Sequence, residues 1–292
     1  MITMTSMERM RLMILVLLFF TAIIIWIPKE PLPKLFAEKC YCLEVSFLDV
    51  GQGDSILIQT PDGYEMLVDG GPNAAVLREL AHERSFFDRD IDLMVTTHPD
   101  LDHIGGLVDV LKRYKIKTIL RTENESDKSA AAAFTIAADK EKSELILADA
   151  GQVIRLGAST TIQIFSPAGD EKEWESNTSS IVMRVVYGNI SFMLTGDAPA
   201  EIEEYLVKTY GAQLDSDVLK LGHHGSKTAS SEHFLNTVTP EYAVVSAGIE
   251  NRYGHPHQEV MERVSARNIK TSHTGTDGTV TFETDGKTLW QK

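Results

Sequence analysis

Hydrophobic and polar positions along this chain repeat with two periods, and the points where one gives way to the other mark its elements. Leu43, Val45 and Phe47 alternate with Glu44 and Ser46 as a strand, and Ser55 to Gln59 reads as a second. Pro61-Asp62-Gly63 predicts a hairpin turn into the apolar strand Met66-Leu67-Val68. Ala74 to Glu83 reads as a helix and Ile91 to Val95 as a buried strand; Ile104, Leu107, Val110 and Leu111 then form the stripe of a helix reaching about Tyr114. Strands are expected at Lys117 to Leu120, Glu144 to Leu147, Val153 to Leu156 and Thr160 to Phe165, with a helix from Ser129 to Lys140 among them. After the polar loop Ser166 to Thr178, Gly188-Asn189 turns a hairpin between Ile181 to Val186 and Ser191 to Thr195. Pro199 suits the first turn of a helix from Ala200 to Tyr210. The strands Val218 to Leu221 and Tyr242 to Ser246, the helices Ser231 to Thr237 and Glu259 to Ala266, and a closing hairpin at Thr279 to Gln291 complete the pattern. Strands followed by alternating strands and helices, run through twice, predict two mixed sheets face to face with helices outside.

Ahead of this lies the apolar run Leu12 to Ile27, preceded by Arg9 and Arg11 and ended by Pro28-Lys29-Glu30. Residues 1–27 read as an uncleaved signal anchor, the alternative being a cleaved signal peptide, and no Ala-x-Ala site follows closely. Residues 28–41 form a linker and 42–292 the catalytic domain. The flanking arginines place the domain outside the cytoplasm, held at the cell membrane, or secreted if the segment is cleaved.

The 292 residues are 43% hydrophobic, enough for a substantial core. A net charge of -14 argues against holding nucleic acid along a basic face. It leaves room for transient cleavage of a polyanion, because bound divalent cations invert the field at a site. The two cysteines, Cys40 and Cys42, would point to opposite faces of a strand, so a mutual disulfide needs the segment to turn. They read as small apolar residues or a minor crosslink, and their scarcity excludes a cysteine-rich zinc site.

The densest chemistry lies in Thr96-Thr97-His98-Pro99-Asp100-Leu101-Asp102-His103-Ile104-Gly105-Gly106. Polar residues at a helix start are often only caps and loop. His98, Asp100, Asp102 and His103 at this spacing, between a strand and a helix, instead suggest side chains converging on a metal, with His103 opening the helix. The other polar candidates, Asp69, Asp197, His223, His224 and His255, also follow strand ends, so they can gather along one sheet edge.

Together with Phe47 to Asp54, Val68 to Gly71, Asn177 to Ser180, Leu194 to Ala198, Leu219 to Ser226 and Asn251 to His255, these stretches resemble the metallo-β-lactamase fold hydrolases. In particular they are similar to the extracytoplasmic hydrolase domain of ComEC-type competence proteins, over about residues 42 to 284. The resemblance implies an α/β fold, a four-layer αββα sandwich, here preceded by one N-terminal apolar helix. It implies two divalent ions, Zn2+ or Mn2+. One is held by Asp102, His103, bridging Asp197 and His224, with His223 the competing candidate; the other, weaker, by His98, Asp100 and Asp197. The chain departs from the wider superfamily in Asp100, which replaces a histidine, and in Asn177 to Ser180, where a separate histidine is usual. Both departures remove ligands that β-lactamases rely on, so that activity is not expected.

The resemblance further implies a metal-dependent hydrolase, a phosphodiesterase with nuclease-like activity that binds DNA transiently. Asp102 and Asp197 serve the ions, and His223, His255 or Lys227 steadies charge or protonates the leaving oxygen. Asp69, Asn177 and Ser180 support the ligands from behind, with Asp69 orienting a histidine; Asp49 and Asp54 are either support or turn residues. His257 is expected at the surface, and His82, His233 and His273 as structural or solvated. Alternatives are a phosphorylcholine-type or other small phosphodiester esterase, and a non-catalytic binding module. With one apolar segment, the chain is not expected to form a channel.

Overall fold

In the computed structural model the chain divides into two units, Met1–Cys40 and Tyr41–Lys292. The structure describes residues 41–292 except 86, 87, 125 and 127, together with 7, 10 and 13–15. The linker and all of the apolar run but residues 13–15 therefore lie outside the described residues. Among the described residues no helix is long and apolar enough to cross a membrane.

The second unit opens with strands β1 (Leu43–Phe47), β2 (Ile56–Gln59) and β3 (Glu65–Val68), helix α1 (Ala75–Glu83) and β4 (Asp90–Thr96). Helices α2 (Leu101–Ile104) and α3 (Leu107–Val110), β5 (Lys115–Arg121), α4 (Ser129–Glu141), β6 (Glu144–Leu147), β7 (Val153–Leu156) and β8 (Thr160–Ser166) follow. A 3-10 turn at Asn177–Ser179 leads to β9 (Val182–Tyr187), β10 (Ile190–Leu194), α5 (Ala200–Tyr210), β11 (Val218–Lys220), α6 (Glu232–Val238) and β12 (Tyr242–Val245). The chain ends with α7 (Gln258–Ser265), β13 (Lys270–His273), α8 (Thr274–Asp277), β14 (Val280–Thr284) and β15 (Leu289–Gln291).

One sheet runs β15-β14-β1-β2-β3-β4-β5-β6 and the other β13-β12-β11-β10-β9-β8-β7. Strand alternation assigns the layers. Leu43, Val45, Phe47, Met66 and Val68 of the first sheet share a buried cluster with Ile162, Met183, Val185, Phe192 and Leu194 of the second. Leu67 and Met94 point the other way, onto Val76, Leu80, Leu107, Val110 and Phe134 of the helices. On the far side, Met193, Leu219 and Ala243 meet Leu206, Phe234, Leu235, Val260 and Val264. The order is helices, sheet, sheet, helices, an αββα sandwich with its main core between the sheets.

Two local expectations change. The helix expected from His103 to Tyr114 starts at Leu101 and breaks at Gly105-Gly106. There the backbone packs onto the β3–α1 loop, Gly106 N–H donating to Gly71 O at 2.9 Å, and a Cβ on Gly106 would collide with Gly70 O. Pro199 takes the N-cap position, one residue before the first turn of α5. Of the two readings for the cysteines the crosslink holds, since Cys42 is disulfide-bonded, its partner lying outside the described residues.

Strands β3, β4, β5 and β6 run parallel in the first sheet, and β10, β11, β12 and β13 in the second. The loops leaving the carboxyl ends of β3, β4, β10 and β11 carry Asp69, His98 to His103, Asp197 and His223-His224. Open α/β sheets present their ligands at such ends.

Candidate metal centre

Asp69 organises the first half of the site. Its Oδ1 accepts the Thr97 backbone N–H at 2.8 Å, its Oδ2 accepts the Thr97 hydroxyl at 2.6 Å, and His103 Nδ1 lies 2.7 Å from Oδ2. With Nδ1 committed to a carboxylate, the ring turns Nε2 the other way, 3.4 Å from Asp197 Oδ2. His98 Nδ1 is 3.1 Å from Thr97 Oγ1, and its ring centroid is 4.0 Å from that of His103.

The second sheet supplies the rest. Asp197 follows β10, its backbone N–H donating to Ser180 Oγ at 3.2 Å. His223 and His224 follow β11 with φ of 47° and 56°, a left-handed conformation costly for any residue but glycine and held here by its surroundings. His224 is 1% exposed, its Nδ1 is 2.8 Å from Ser246 O, and its Nε2 is 3.4 Å from both Asp102 Oδ2 and Asp197 Oδ2. His223 is the more exposed of the pair, with Nε2 3.7 Å from Asp197 Oδ2 and Nδ1 3.1 Å from Thr228 Oγ1.

Among the described residues the Nε2 atoms of His98, His103 and His224 are buried without a hydrogen-bond partner. Buried polar atoms left unpaired are costly, so the placing of His103 Nε2 and His224 Nε2 against Asp197, with Asp102 beside His224, fits a divalent cation. Asp54, His103, Asp197 and His224 each offer a ligand atom within 4.8 Å of one another. Asp54 nevertheless lies on the Nδ1 side of both rings, 4.0 Å from His103 and 3.3 Å from His224, and Lys220 Nζ sits 2.5 Å from its Oδ2. The oxygen facing the Nε2 atoms of His224 and His103 belongs to Asp102 or Asp197, which makes Asp102, His103, Asp197 and His224 the better seat.

Charges in the site control one another. Burial disfavours the charged form of every member, but His224 and His103 hold Asp197 well below the usual carboxylate range. Asp197 in turn, with Asp69 for His103 and Asp102 for His224, raises both histidines well above the usual imidazole value. Burial and the neighbouring His103 lower His98 to about 4. Burial and His224 lower His255 to about 4, and burial is the leading cause of a lowered His223.

The remaining sequence candidates separate. Asp100 does not face the seat freely: its Oδ1 accepts from Lys128 Nζ at 2.6 Å and from Ser176 Oγ at 2.7 Å. Asn177 and His255 line a cavity of about 160 Å3 with Asp100, Asp102, Asp197, His223 and His224. Lys227 is exposed, and its backbone N–H donates to His257 Nδ1 at 3.1 Å. His257 is half-buried at the N-cap of α7. Asp49 serves a turn, its Oδ1 accepting Gly51 N–H at 3.1 Å. A larger cavity of about 420 Å3 lies between Arg121, Ile104 and Phe134, and among the described residues its lining holds no carboxylate or imidazole.

Sequence reading missed Lys220 and Gln52. Lysine at a strand end carries no signal of burial, yet Lys220 is 0% exposed in the middle of the site. Gln52 lines the small cavity; its Oε1 accepts Gly248 N–H at 3.3 Å, which assigns the other branch as Nε2, and that amide nitrogen is buried without a partner.

The metallo-beta-lactamase superfamily pattern matches residues 48–249. This chain belongs to that superfamily. It is 30% identical to ComE operon protein 3 of Bacillus subtilis, over 82% of this chain and 33% of that protein. It is 34% identical to Competence protein ComA of Neisseria gonorrhoeae, over 82% of this chain and 32% of that one. The chain thus spans about a third of the length of these relatives. Among solved structures it is similar to Igni18, a metallo hydrolase of Ignicoccus hospitalis, with a TM-score of 0.52 at 17% identity, covering 84% of this chain and 100% of that one. The hydrolase fold and its candidate metal cluster come with the family.

Proposed function

We propose that this domain is a metal-dependent phosphodiesterase with nuclease-like activity, held at a membrane by residues 12–27 on the side away from the cytoplasm. The observation that carries the reading is the convergence of the unpartnered Nε2 atoms of His103 and His224 on Asp197, with Asp102 beside His224 and the His98 ring packed on His103. A divalent ion bound there supplies Lewis acidity toward a phosphoryl oxygen and acidifies a water. Asp102, His103, Asp197 and His224 make the principal seat; His98, with Asp100 and Asp197, makes a second, poorer one because Lys128 and Ser176 already engage Asp100.

The chain's own groups do the rest. Asp69 and Ser246 O fix the two imidazoles from behind. Gln52 Nε2 donates to a non-bridging phosphoryl oxygen. His223 and His255 line the mouth of the small cavity, where a ring N–H can donate a hydrogen bond to the leaving oxygen. Tyr253 stacks on His255, centroids 5.6 Å apart and planes at 21°, and the exposed Arg252 lies over the Tyr253 ring. A cation on an aromatic pair at the mouth of the site suits the phosphate of a nucleotide. The names of the relatives, among them a competence protein and a recombination protein of Haemophilus influenzae, favour a nucleic acid over a small ester.

Hydrolysis of bis-p-nitrophenyl phosphate and of single- and double-stranded DNA by the full chain with Mn2+ or Zn2+ tests this, beside an Asp102→Ala/His103→Ala variant. Metal-dependent cleavage lost in the variant is expected. Folded protein that turns over neither substrate class with either metal sinks the reading.

A further inference from the structure

We propose that the Lys220 ammonium is a resident cation of the site, filling an oxygen-lined position that would otherwise take a metal ion and confining divalent ions to the far side of Asp197. Lys220 ends β11 and is fully buried. Its Nζ faces Asp54 Oδ2 at 2.5 Å, Gly196 O at 3.2 Å and Asp197 Oδ1 at 3.8 Å. Two carboxylates and a backbone carbonyl are the oxygen set a hard divalent cation prefers. Burying an ammonium is strongly unfavourable unless partners compensate it, and here those partners are the carboxylates of the site.

The consequence falls on Asp197 and Asp54. With Oδ1 turned toward the ammonium, Asp197 presents Oδ2 alone to the Nε2 atoms of His103 and His224. Asp54 stands on the Nδ1 side of both rings, so the oxygen it offers belongs to the position Lys220 fills, and the pairing withholds it from a divalent ion there. An ordinary structural ion pair predicts only lost stability when the lysine is removed. A resident cation predicts that the vacated position recruits metal.

The test counts Mn2+ per chain in the protein of residues 1–292 after dialysis, by elemental analysis, and needs no substrate. Lys220→Met is expected to bind one more Mn2+ than the parent, and Lys220→Met/Asp54→Asn to return to the parent count. An unchanged or lower count in folded Lys220→Met overturns the proposal. Should that variant not fold, Asp54→Asn decides: with Lys220 present the parent Mn2+ count is expected to persist, and loss of an ion shows that Asp54 is a metal ligand and overturns it.

Discussion

His103 Nδ1 lies 2.7 Å from Asp69 Oδ2, and neither side chain is exposed. This contact aims Nε2 at Asp197, so in the proposed centre Asp69 would set metal affinity without touching the ion. Loss of such a supporting partner costs about 10- to 100-fold in metal affinity. Asp69→Ala is therefore expected to weaken Mn2+ binding by that factor in calorimetric titration. Affinity equal to the parent would show that the ring keeps its orientation unaided.

Asp100 and Asp102 sit two residues apart in the same motif but face different partners. Asp102 Oδ2 faces His224 Nε2, whereas Asp100 Oδ1 is occupied by Lys128 and Ser176. Asp102→Ala is expected to abolish tight Mn2+ binding, and Asp100→Ala to lower affinity by no more than about tenfold, the scale of a supporting contact. The reverse ranking in the same titration would move the principal seat to the His98 side.

Gln52, with its unpartnered Nε2 in the small cavity, tests the proposed phosphoryl contact. A hydrogen bond to a charged group contributes about 1.5–3 kcal/mol, so Gln52→Leu should lower kcat/KM for bis-p-nitrophenyl phosphate by about 10- to 100-fold. Mn2+ count should not move, and stability should fall only by the roughly 1 kcal/mol of the lost Gly248 N–H bond. A fall in stability with kcat/KM intact would make Gln52 a brace for the Gly248 loop and nothing more.

Glu203 ties α5 to the loop that follows His224, accepting the Ser230 N–H at 2.6 Å and the Ser231 N–H at 2.8 Å. Burial raises its pKa despite these donors. The folded state then holds the proton more tightly than the unfolded chain, so this group's contribution is fully present below the unfolded value and is lost as pH rises through the folded one. Urea unfolding at pH 4 and pH 8 should show Glu203→Gln less disadvantaged relative to the parent at the higher pH. An equal gap at both values would mean that Glu203 does not titrate differently on folding.

Phe282 locks the two sheets, with ring centroids 6.2 Å from Phe47, 6.3 Å from Phe192 and 5.3 Å from Tyr242. Phe282→Ala should cost about 3–5 kcal/mol in denaturant unfolding, as large truncations in packed cores do. A cost under about 1 kcal/mol would mean the intersheet layer collapses to fill the gap.

Much of this was legible before any coordinates. Strands such as Leu43–Phe47 advertise one buried face by alternation, and carboxylates and imidazoles after strand ends already suggested a common edge. Strand β13 escaped notice because Lys-Thr-Ser-His has no apolar alternation; parallel pairing to β12 makes it a strand. The division of labour between Asp49 and Asp54 escaped too, since both sit in the same turn and only tertiary placement puts Lys220 against one of them. The burial of Lys220 and the free branch of Gln52 depend on neighbours far away in sequence, which no local pattern encodes.

The first sheet contributes Asp102 and His103 to the seat and the second contributes Asp197 and His224. A seat drawn from both sheets cannot exist until the latter half of the chain has packed against the first, so the four side chains meet only in the finished fold.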